Sequence, residues 1–296
     1  MNQPPDTPSA DSLSQGPLLQ ESPSTKASPT DSLWLDILFE ARGFSRDEPV
    51  LASFFHSSIL SHDSLESALA YTLAENLGNS TVSEQSIRRV IDQAILAEPA
   101  ISKKMRMDIR AYRERDPACL YYSMPLLYFK GFHALQVHRV AHHLWHQQRR
   151  SMALHLQSLC SEIFGVDIHP GASIGGGIMI DHATGVVIGE TAVIEDNVSM
   201  LHSVSLGGTG NVSGARHPHV RSGVLISAGA RVLGDIEIGE GAKIGAGSLV
   251  LEPVAAHTTV AGVPARVVGV PREASPALEM DQQINGGADA PEVSPR

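Results

Sequence analysis

Two short stretches of the chain carry residue types that can move a proton. One stretch, VDIHP, contains Asp167 and His169, and the other, DHATG, begins with Asp181 and His182. An aspartate paired with a histidine is the smallest general-base unit, because the carboxylate fixes the imidazole tautomer and the free nitrogen accepts a proton near neutral pH. The same residue types at turns can also do no more than satisfy backbone groups, and their spacing leaves both interpretations open.

Both stretches lie in a part of the chain where aliphatic residues recur at every sixth position. Of twelve positions that keep this phase, eleven are Ile or Val. The twelve are Ile168, Ile174, Ile180, Val186, Ala192, Val198, Val204, Ile226, Val232, Ile238, Ile244 and Val250. A period of six is neither helical nor a simple strand alternation, and it predicts a parallel β-helix of hexapeptide repeats. We expect the aspartates and histidines to lie at the corners of this β-solenoid.

The repeat is interrupted once. Val204 and Ile226 are 22 residues apart, which is one repeat of six plus sixteen further residues. Insertions in solenoids emerge as loops on one face, often the binding face, so we expect one protruding loop from Gly207 to Ser222. This loop would hold several basic residues away from the coils, namely Arg216, His217, His219 and Arg221.

The residues before the repeat have a helical period. Asp63, followed by Glu66, and Ser83 mark two helix starts, and Gly78 marks a helix end. The first residues are rich in Pro and Ser and predict disorder, because they have too few large apolar groups to offset the entropy of ordering. The predicted organisation is a disordered tail, an all-helical domain, the β-solenoid and a C-terminal tail, at residues 1–31, 32–164, 165–270 and 271–296.

Composition excludes several classes of protein. The chain has 296 residues, a formal net charge of -10 and no apolar run long enough to cross a bilayer. We therefore expect neither a membrane protein nor a basic nucleic-acid-binding protein. Its two cysteines, Cys119 and Cys160, are too few for a disulfide scaffold and fit a reducing cytoplasm, which is the location we expect.

Several phrases of the sequence resemble the serine acetyltransferase family. They are RDPA, PLLYFKGFHALQVHR, VDIHPGASIGGGIMIDHATGVVIGETAVI, SLGGTG, RHP and AGVPARVVG. With the helical part, the resemblance covers about residues 32–285. It implies a left-handed β-helix and transfer of the acetyl group of acetyl-CoA to the hydroxyl of L-serine, which gives O-acetylserine and CoA, the first step of cysteine biosynthesis.

The resemblance also implies roles for individual residues. His182 matches the general base and Asp167 the carboxylate that orients it. The substrate-binding residues are Asp116 and Asp181 for the ammonium of serine, and Arg216 and His217 for its carboxylate or the hydroxyl region. The cofactor-binding residues, which would contact acetyl-CoA, are Gly208, Thr209, Ala228, Lys243 and Ala246. Direct attack needs no metal, so we expect none.

The resemblance further implies partners. We expect a homo-oligomer, either a trimer around the β-helix axis or a dimer of such trimers, and feedback inhibition by L-cysteine at the serine site. In many members of the family, a C-terminal Ile inserts into the active site of O-acetylserine sulfhydrylase. This chain ends in Arg296, which cannot fill an apolar slot, so we expect weak or absent binding of the sulfhydrylase.

Three other functions remain open on the residues alone. A γ-type carbonic anhydrase shares the fold and binds zinc through three histidines, and the coils here offer His169, His182 and His202. Their spacing does not repeat with an eighteen-residue turn. A hexapeptide acyltransferase with a different acceptor, or a non-catalytic scaffold that regulates a partner enzyme, is also compatible with the repeat.

Overall fold

The computed structural model describes Met1, residues 31–210 and residues 213–284. The predicted disorder of residues 1–31 falls outside the described residues except at their two ends, and so does the C-terminal Arg296. Residues 271–284 of the predicted C-terminal tail are described.

The first part of the chain is helical, as its period predicts. Ser64 caps α3 by accepting a hydrogen bond from the Ser67 amide at 3.2 Å, so this helix starts one residue later than Asp63 indicates. Ser83 caps α4 as predicted. The helices are α1 (Ser32–Asp47), α2 (Ala52–Phe55), α3 (Leu65–Leu77), α4 (Glu84–Ala97), α5 (Pro99–Arg115), α6 (Ser123–Tyr128), α7 (Lys130–His146) and α8 (Arg150–Phe164), with a 3₁₀ turn at Pro49–Leu51 and a π-helical turn at His56–Leu60.

Short strands then wind into three sheets of a parallel β-solenoid. The first sheet has the strand order β1-β4-β7-β10-β13, the second β11-β8-β5-β2, and the third β15-β14-β12-β9-β6-β3, with only β14 and β15 antiparallel among the described pairs. The strands are β1 (Val166–Ile168), β2 (Ser173–Ile174), β3 (Met179–Ile180), β4 (Val186–Ile188), β5 (Val193–Ile194), β6 (Ser199–Met200), β7 (Ser205–Gly207), β8 (His219–Val220), β9 (Leu225–Ile226), β10 (Arg231–Leu233), β11 (Glu237–Ile238), β12 (Lys243–Ile244), β13 (Leu249–Val250), β14 (Thr259–Gly262) and β15 (Ala265–Gly269).

The repeated aliphatic residues form the interior of the solenoid. All twelve in-phase positions are at most 5% exposed. Their side chains exclude water along the length of the solenoid. The register departs from a strict period of six in the first coil, where Ile168, Ile174 and Ile180 stack on Ile188, Ile194 and Met200, each two residues beyond the next in-phase position. The period of six therefore identifies core residues, and the first coil is two residues longer than three repeats.

The protruding loop is shorter than the sequence predicts. Strand β8 lies inside the predicted insertion and pairs with β5 and β11, so the loop runs only through residues 208–218. Val220 is fully buried, and it lies six residues before Ile226. The repeat thus resumes one position earlier than predicted, which places His219 and Arg221 on the coils, where both contact Glu195.

Helix α5 is bound to the coils by buried polar groups. Asp108 accepts a hydrogen bond from the Ile178 amide at 3.0 Å and pairs with Arg139 of α7 at 2.7 Å. The Tyr112 hydroxyl donates to the Ile180 carbonyl at 2.9 Å and accepts from the Ile180 amide at 3.1 Å. Because β3 ends at Ile180, these bonds fix the C-terminal end of α5 beside the corner that follows β3.

The C-terminal segment also packs on the solenoid. A short helix, α9 (Pro276–Glu279), receives a hydrogen bond from Ser199 to the Ala277 carbonyl at 2.8 Å. Beyond it, the Gln283 carbonyl accepts from the Lys243 ammonium at 2.6 Å. None of the described helices is both long and apolar enough to span a bilayer.

Candidate active site

The corner between β3 and β4 presents an open imidazole. His182 and Ala183 there adopt left-handed backbone conformations, with φ of 57° and 59°. Such conformations are costly for residues other than glycine and are concentrated at functional sites. The His182 side chain is 73% exposed, so a substrate can reach its ring nitrogens.

One carboxylate lies beside this imidazole, and a second lies near the first. The Asp181 Oδ2 atom lies 3.5 Å from His182 Nε2, and Asp116 caps the C-terminal end of α5 nearby. Burial raises the pKa of the Asp181 carboxyl; the His182 imidazole opposes this shift, and the negative charge of Asp116 adds to it. Two neighbouring carboxylates of this kind favour a bound cation, because a cation relieves their mutual repulsion. The structure thus brings together Asp116, Asp181 and His182.

Asp167 has a different partner within the chain. It lies on β1 opposite Val187 of β4, and its Oδ1 atom accepts a hydrogen bond from Gln157 Nε2 at 2.7 Å. Among the described residues, the carboxylate within ion-pair distance of His182 is Asp181. Pairing of Asp167 with His182 therefore stays a prediction, which the contacts within this single chain do not include.

Arg216 and His217 belong to the loop between β7 and β8. They lie against the next corner of the solenoid, between β4 and β5. The Arg216 guanidinium pairs with Glu190, and His217 Nδ1 accepts a hydrogen bond from the Thr191 amide at 3.2 Å. Burial lowers the pKa of His217, and the charge of Arg216 lowers it further. A neutral His217 that accepts at Nδ1 carries its proton on Nε2. This corner therefore offers a guanidinium and an N–H donor, groups that bind a carboxylate.

Gly189 leaves room for the His217 ring at this second corner, and it was not among the site residues predicted from the sequence. Any Cβ at this position would collide with the ring of His217. The local signal was a glycine directly after Ile188, at the point where a strand ends. The sequence also gave no signal for Glu190 and Thr191. These residues hold Arg216 and His217, which lie in a loop that is distant in sequence.

The two corners are separated by the width of the first sheet. Strand β4 runs from one to the other, and Val187, 43% exposed, stands on its outer face. Three residues of extended chain span roughly 10 Å. A serine molecule carries its ammonium, carboxylate and hydroxyl on two adjacent carbons, so it cannot contact both corners of one chain at once.

The residues predicted to contact acetyl-CoA fall into four places. Ala228 and Ala246 occupy successive coils at the His182 corner, joined by a hydrogen bond from the Gly247 amide to the Ala228 carbonyl at 2.8 Å. Gly208 lies against Arg216 and His217 at the other corner. Two further residues lie elsewhere: Thr209 lies beside Gly234 after β10, and Lys243, only 3% exposed, is bonded to the Gln283 carbonyl.

The three histidines of the zinc alternative do not converge. The rings of His182 and His202 are 5.9 Å apart, whereas His169 packs on Trp145 at 5.0 Å. Across residues 31–210 and 213–284, no group of three or more His, Cys, Asp or Glu residues is arranged to hold a metal ion.

Comparison with known proteins agrees with this architecture. A family model described as Serine acetyltransferase, N-terminal, matches residues 33–137, and one described as Bacterial transferase hexapeptide (six repeats) matches residues 217–252. The serine acetyltransferase of Salmonella typhimurium is 56% identical over 254 residues, which are 86% of this chain and 93% of that protein.

Solved structures extend the similarity to three dimensions. A serine acetyltransferase in complex with cysteine is 54% identical, with a TM-score of 0.84, over 85% of this chain and 98% of that chain. The Brucella abortus enzyme in complex with coenzyme A is 51% identical, with a TM-score of 0.80, over 81% and 96%. The resemblance, the acyltransferase class and the fold are confirmed, and they displace the zinc-lyase alternative. The chain therefore belongs to the serine acetyltransferase family of hexapeptide-repeat acyltransferases.

Proposed function

We propose that this chain transfers the acetyl group of acetyl-CoA to the hydroxyl of L-serine, with His182 as the general base. The observation that carries this proposal is the exposed His182 imidazole beside Asp181 and Asp116. His182 removes the hydroxyl proton as the serine oxygen attacks the thioester carbonyl. The carbon–sulfur bond then breaks, and the electron pair leaves on sulfur. The proton returned to that sulfur completes O-acetylserine and free CoA.

The carboxylates next to His182 hold the ammonium of serine in this proposal. Asp116 and Asp181 are close enough for the charge of one to raise the pKa of the other. A bound ammonium would remove this repulsion, so serine binding and ionisation of Asp181 support each other. The serine hydroxyl would then lie next to His182, because ammonium and hydroxyl are on adjacent carbons.

The carboxylate of serine needs the second corner, which we assign to a neighbouring copy of the chain. Within one chain, Arg216 and His217 are across β4 from His182. A trimer that packs the His182 corner of one copy against the His217 corner of the next would complete the site, by a heterologous contact that closes into a ring. The proposed assembly is accordingly a trimer, or a dimer of such trimers.

Acetyl-CoA is the proposed acyl donor, and it would run along the His182 corner. Coenzyme A is bound by the Brucella abortus relative. In this chain, the side chains of Ala228 and Ala246 end at Cβ on successive coils, which leaves room for the pantetheine arm beside them. Gly208, Thr209 and Lys243 remain proposed contacts. The Lys243 ammonium would bind a phosphate of CoA only after it releases the Gln283 carbonyl.

Cysteine is the proposed inhibitor, since it shares the ammonium and carboxylate of serine. A relative is known in complex with cysteine. Asp116, Asp181, Arg216 and His217 would hold it in place of serine, so inhibition should be relieved by added serine. We also propose a cytoplasmic location, supported by two free, buried cysteines.

An acceptor panel tests the proposed reaction. Thiol release from acetyl-CoA should be rapid with L-serine and slow with L-homoserine, a sugar or no acceptor. Release that is fastest with the sugar would identify a different hexapeptide acyltransferase. The same assay with cysteine at several serine concentrations separates competition, which we expect, from inhibition that serine does not relieve.

A further inference from the structure

A cleft lined by histidines lies between α5 and α7. It has a volume of about 340 Å³. Lys104 lines it from α5 and lies twelve residues before Asp116, which corresponds to about 18 Å of helix. The cleft is therefore distinct from the proposed serine site at the other end of α5. Its histidines are all on α7, namely His138, His142, His143 and His146.

Two of these imidazoles are bonded to the corner between β1 and β2. His142 Nδ1 donates a hydrogen bond to the Pro170 carbonyl at 2.8 Å, so Nε2 keeps the lone pair of the neutral ring. His138 is bonded to the Ala172 carbonyl and is only 4% exposed. Its Nδ1 atom has no hydrogen-bond partner in the described parts of the chain. Because buried polar atoms are nearly always paired, an unpaired ring nitrogen in the wall of a cleft points to a bound ligand.

The surroundings of these imidazoles are positively charged. Burial lowers the pKa of both His138 and His142, and the charges of Lys104 and Arg139 lower it further. The Lys104 ammonium donates to the Ile174 carbonyl at 2.9 Å, which leaves two of its three N–H groups for a ligand. Neutral imidazoles beside an ammonium become protonated donors when a negative charge binds, because that charge raises their pKa.

The carboxylates near the cleft already have donors of their own. The acidic groups that face Lys104 are Asp196, Asp108 and Glu98. Asp108 pairs with Arg139, and a backbone amide donates to Asp196. Glu98 lies on the exposed rim and caps the start of α5. The ammonium and the imidazoles thus remain available to an anion.

We propose that this cleft binds a small dianionic oxyanion, of the sulfate, phosphate or dicarboxylate class. Lys104 supplies one positive charge, and a proton taken up by the imidazoles of the cleft supplies the second. A protonated His142 donates from Nε2 while Nδ1 keeps its bond to Pro170, and a protonated His138 donates from Nδ1. The proposal does not depend on the acetyl transfer proposed above.

A divalent metal ion is the competing occupant, since neutral imidazoles also bind zinc. The charges of Lys104 and Arg139 oppose a cation here. Zinc also needs three or four protein ligands, and the described residues arrange no such group. An anion gives the same ring nitrogens a partner and neutralises Lys104 as well.

Calorimetry with sodium sulfate, at an ionic strength held constant with sodium chloride, tests the proposal. The full chain should bind sulfate saturably, with a Kd of about 1 mM or tighter. Sulfate keeps its charge between about pH 6 and pH 8, so tighter binding at the lower pH reports protonation of the imidazoles. Buffers of different ionisation enthalpy should show that about one proton enters with each sulfate. Sodium malonate, in a second series, shows whether the cleft prefers a dicarboxylate. No saturable binding of either anion below about 10 mM would overturn the proposal.

Two substitutions with opposite effects locate the anion. Lys104→Gln removes one charge but can still donate to the Ile174 carbonyl, and it should weaken binding about tenfold or more. Lys103→Gln, exposed at the preceding position of α5, is the matched control and should change nothing. Glu98→Gln removes a negative charge at the rim and should tighten binding about two- to fivefold. Equal affinities in Lys104→Gln and Lys103→Gln would place the anion elsewhere and contradict the proposal.

His142→Asn separates the imidazoles from the ammonium. The amide N–H of Asn can take the place of Nδ1 and keep the bond to Pro170, whereas the Nε2 position is lost. This variant should lose most of the tightening at low pH, and His257→Gln, at an exposed corner after β13, should keep it. The same pH dependence in both variants would show that His142 does not bind the anion. If zinc chloride binds, His142→Asn abolishes that binding and sulfate does not bind, the cleft is a metal site and the proposal is wrong.

Discussion

Two corners of the same coil carry opposite chemistry. At one, His182 is open to solvent beside Asp181, and at the other, Arg216 and His217 are held by Glu190 and Thr191. The first corner suits proton transfer and a bound cation, while the second suits a bound anion. In the site we propose, these two edges of one sheet share a single amino-acid substrate, so that each edge of a single chain holds only half of the site.

The largest expected effect is at the first corner. His182→Ala should lower the rate about 10²–10⁴-fold, because general-base catalysis contributes that much. Steady-state thiol release from acetyl-CoA measures it, with His257→Ala as the control at a distant corner. Activity within a few-fold of the unmodified enzyme would contradict the assignment of the general base to the first corner.

Protonation of Asp181 should make kcat/KM for serine depend on pH. Its pKa is raised by burial, so the carboxylate that holds the serine ammonium becomes protonated, and kcat/KM falls, at a higher pH than for an ordinary aspartate. Asp181→Asn should lower kcat/KM for serine about ten- to a hundred-fold and make the acid limb less steep, because only protonation of the base His182 then remains to lower kcat/KM. A pH series of kcat/KM measures both, with Asp92→Asn on α4 as the control. An unchanged acid limb in Asp181→Asn would contradict the assignment.

The second corner should affect binding more than turnover. Arg216→Leu should raise KM for serine about tenfold or more and change kcat much less, since a guanidinium–carboxylate pair acts on bound serine before and during the reaction. Arg266→Leu, exposed on β15, is the matched control. A fall in kcat equal to that of His182→Ala would place Arg216 in the chemistry instead.

Gly189→Ala should have the smallest effect, and it tests whether the position of the His217 ring matters for serine binding. Gly189→Ala must displace the His217 ring, so KM for serine should rise several-fold. Gly43→Ala on α1 meets no atom within 4 Å and should leave KM unchanged. If Gly189→Ala behaves like Gly43→Ala, the position of His217 does not matter for serine.

The sequence predicted the solenoid better than the site. A period of six identifies the core because the residues that keep this spacing face the interior of the solenoid, but it does not reveal the two extra residues of the first coil. The end of the loop was predicted wrongly. Val220 keeps the phase of Ile226, but it directly follows the eleven loop residues, which have no hydrophobic pattern that could show where the coil resumes. The distance between His182 and His217 depends on how corners alternate around a coil, and the contacts of Asp167 with Gln157 depend on how α8 packs on β1.

Mixed assemblies of two defective chains test the central claim most directly. Chains with His182→Ala and chains with Arg216→Leu and His217→Leu are co-expressed, and kcat/KM for serine is measured on the purified mixture. Each keeps one intact corner, so in randomly mixed trimers about a quarter of the sites should combine two intact corners and recover activity. Recovery of about that size supports a site divided between copies. A mixture no more active than the average of the two pure variants would contradict it.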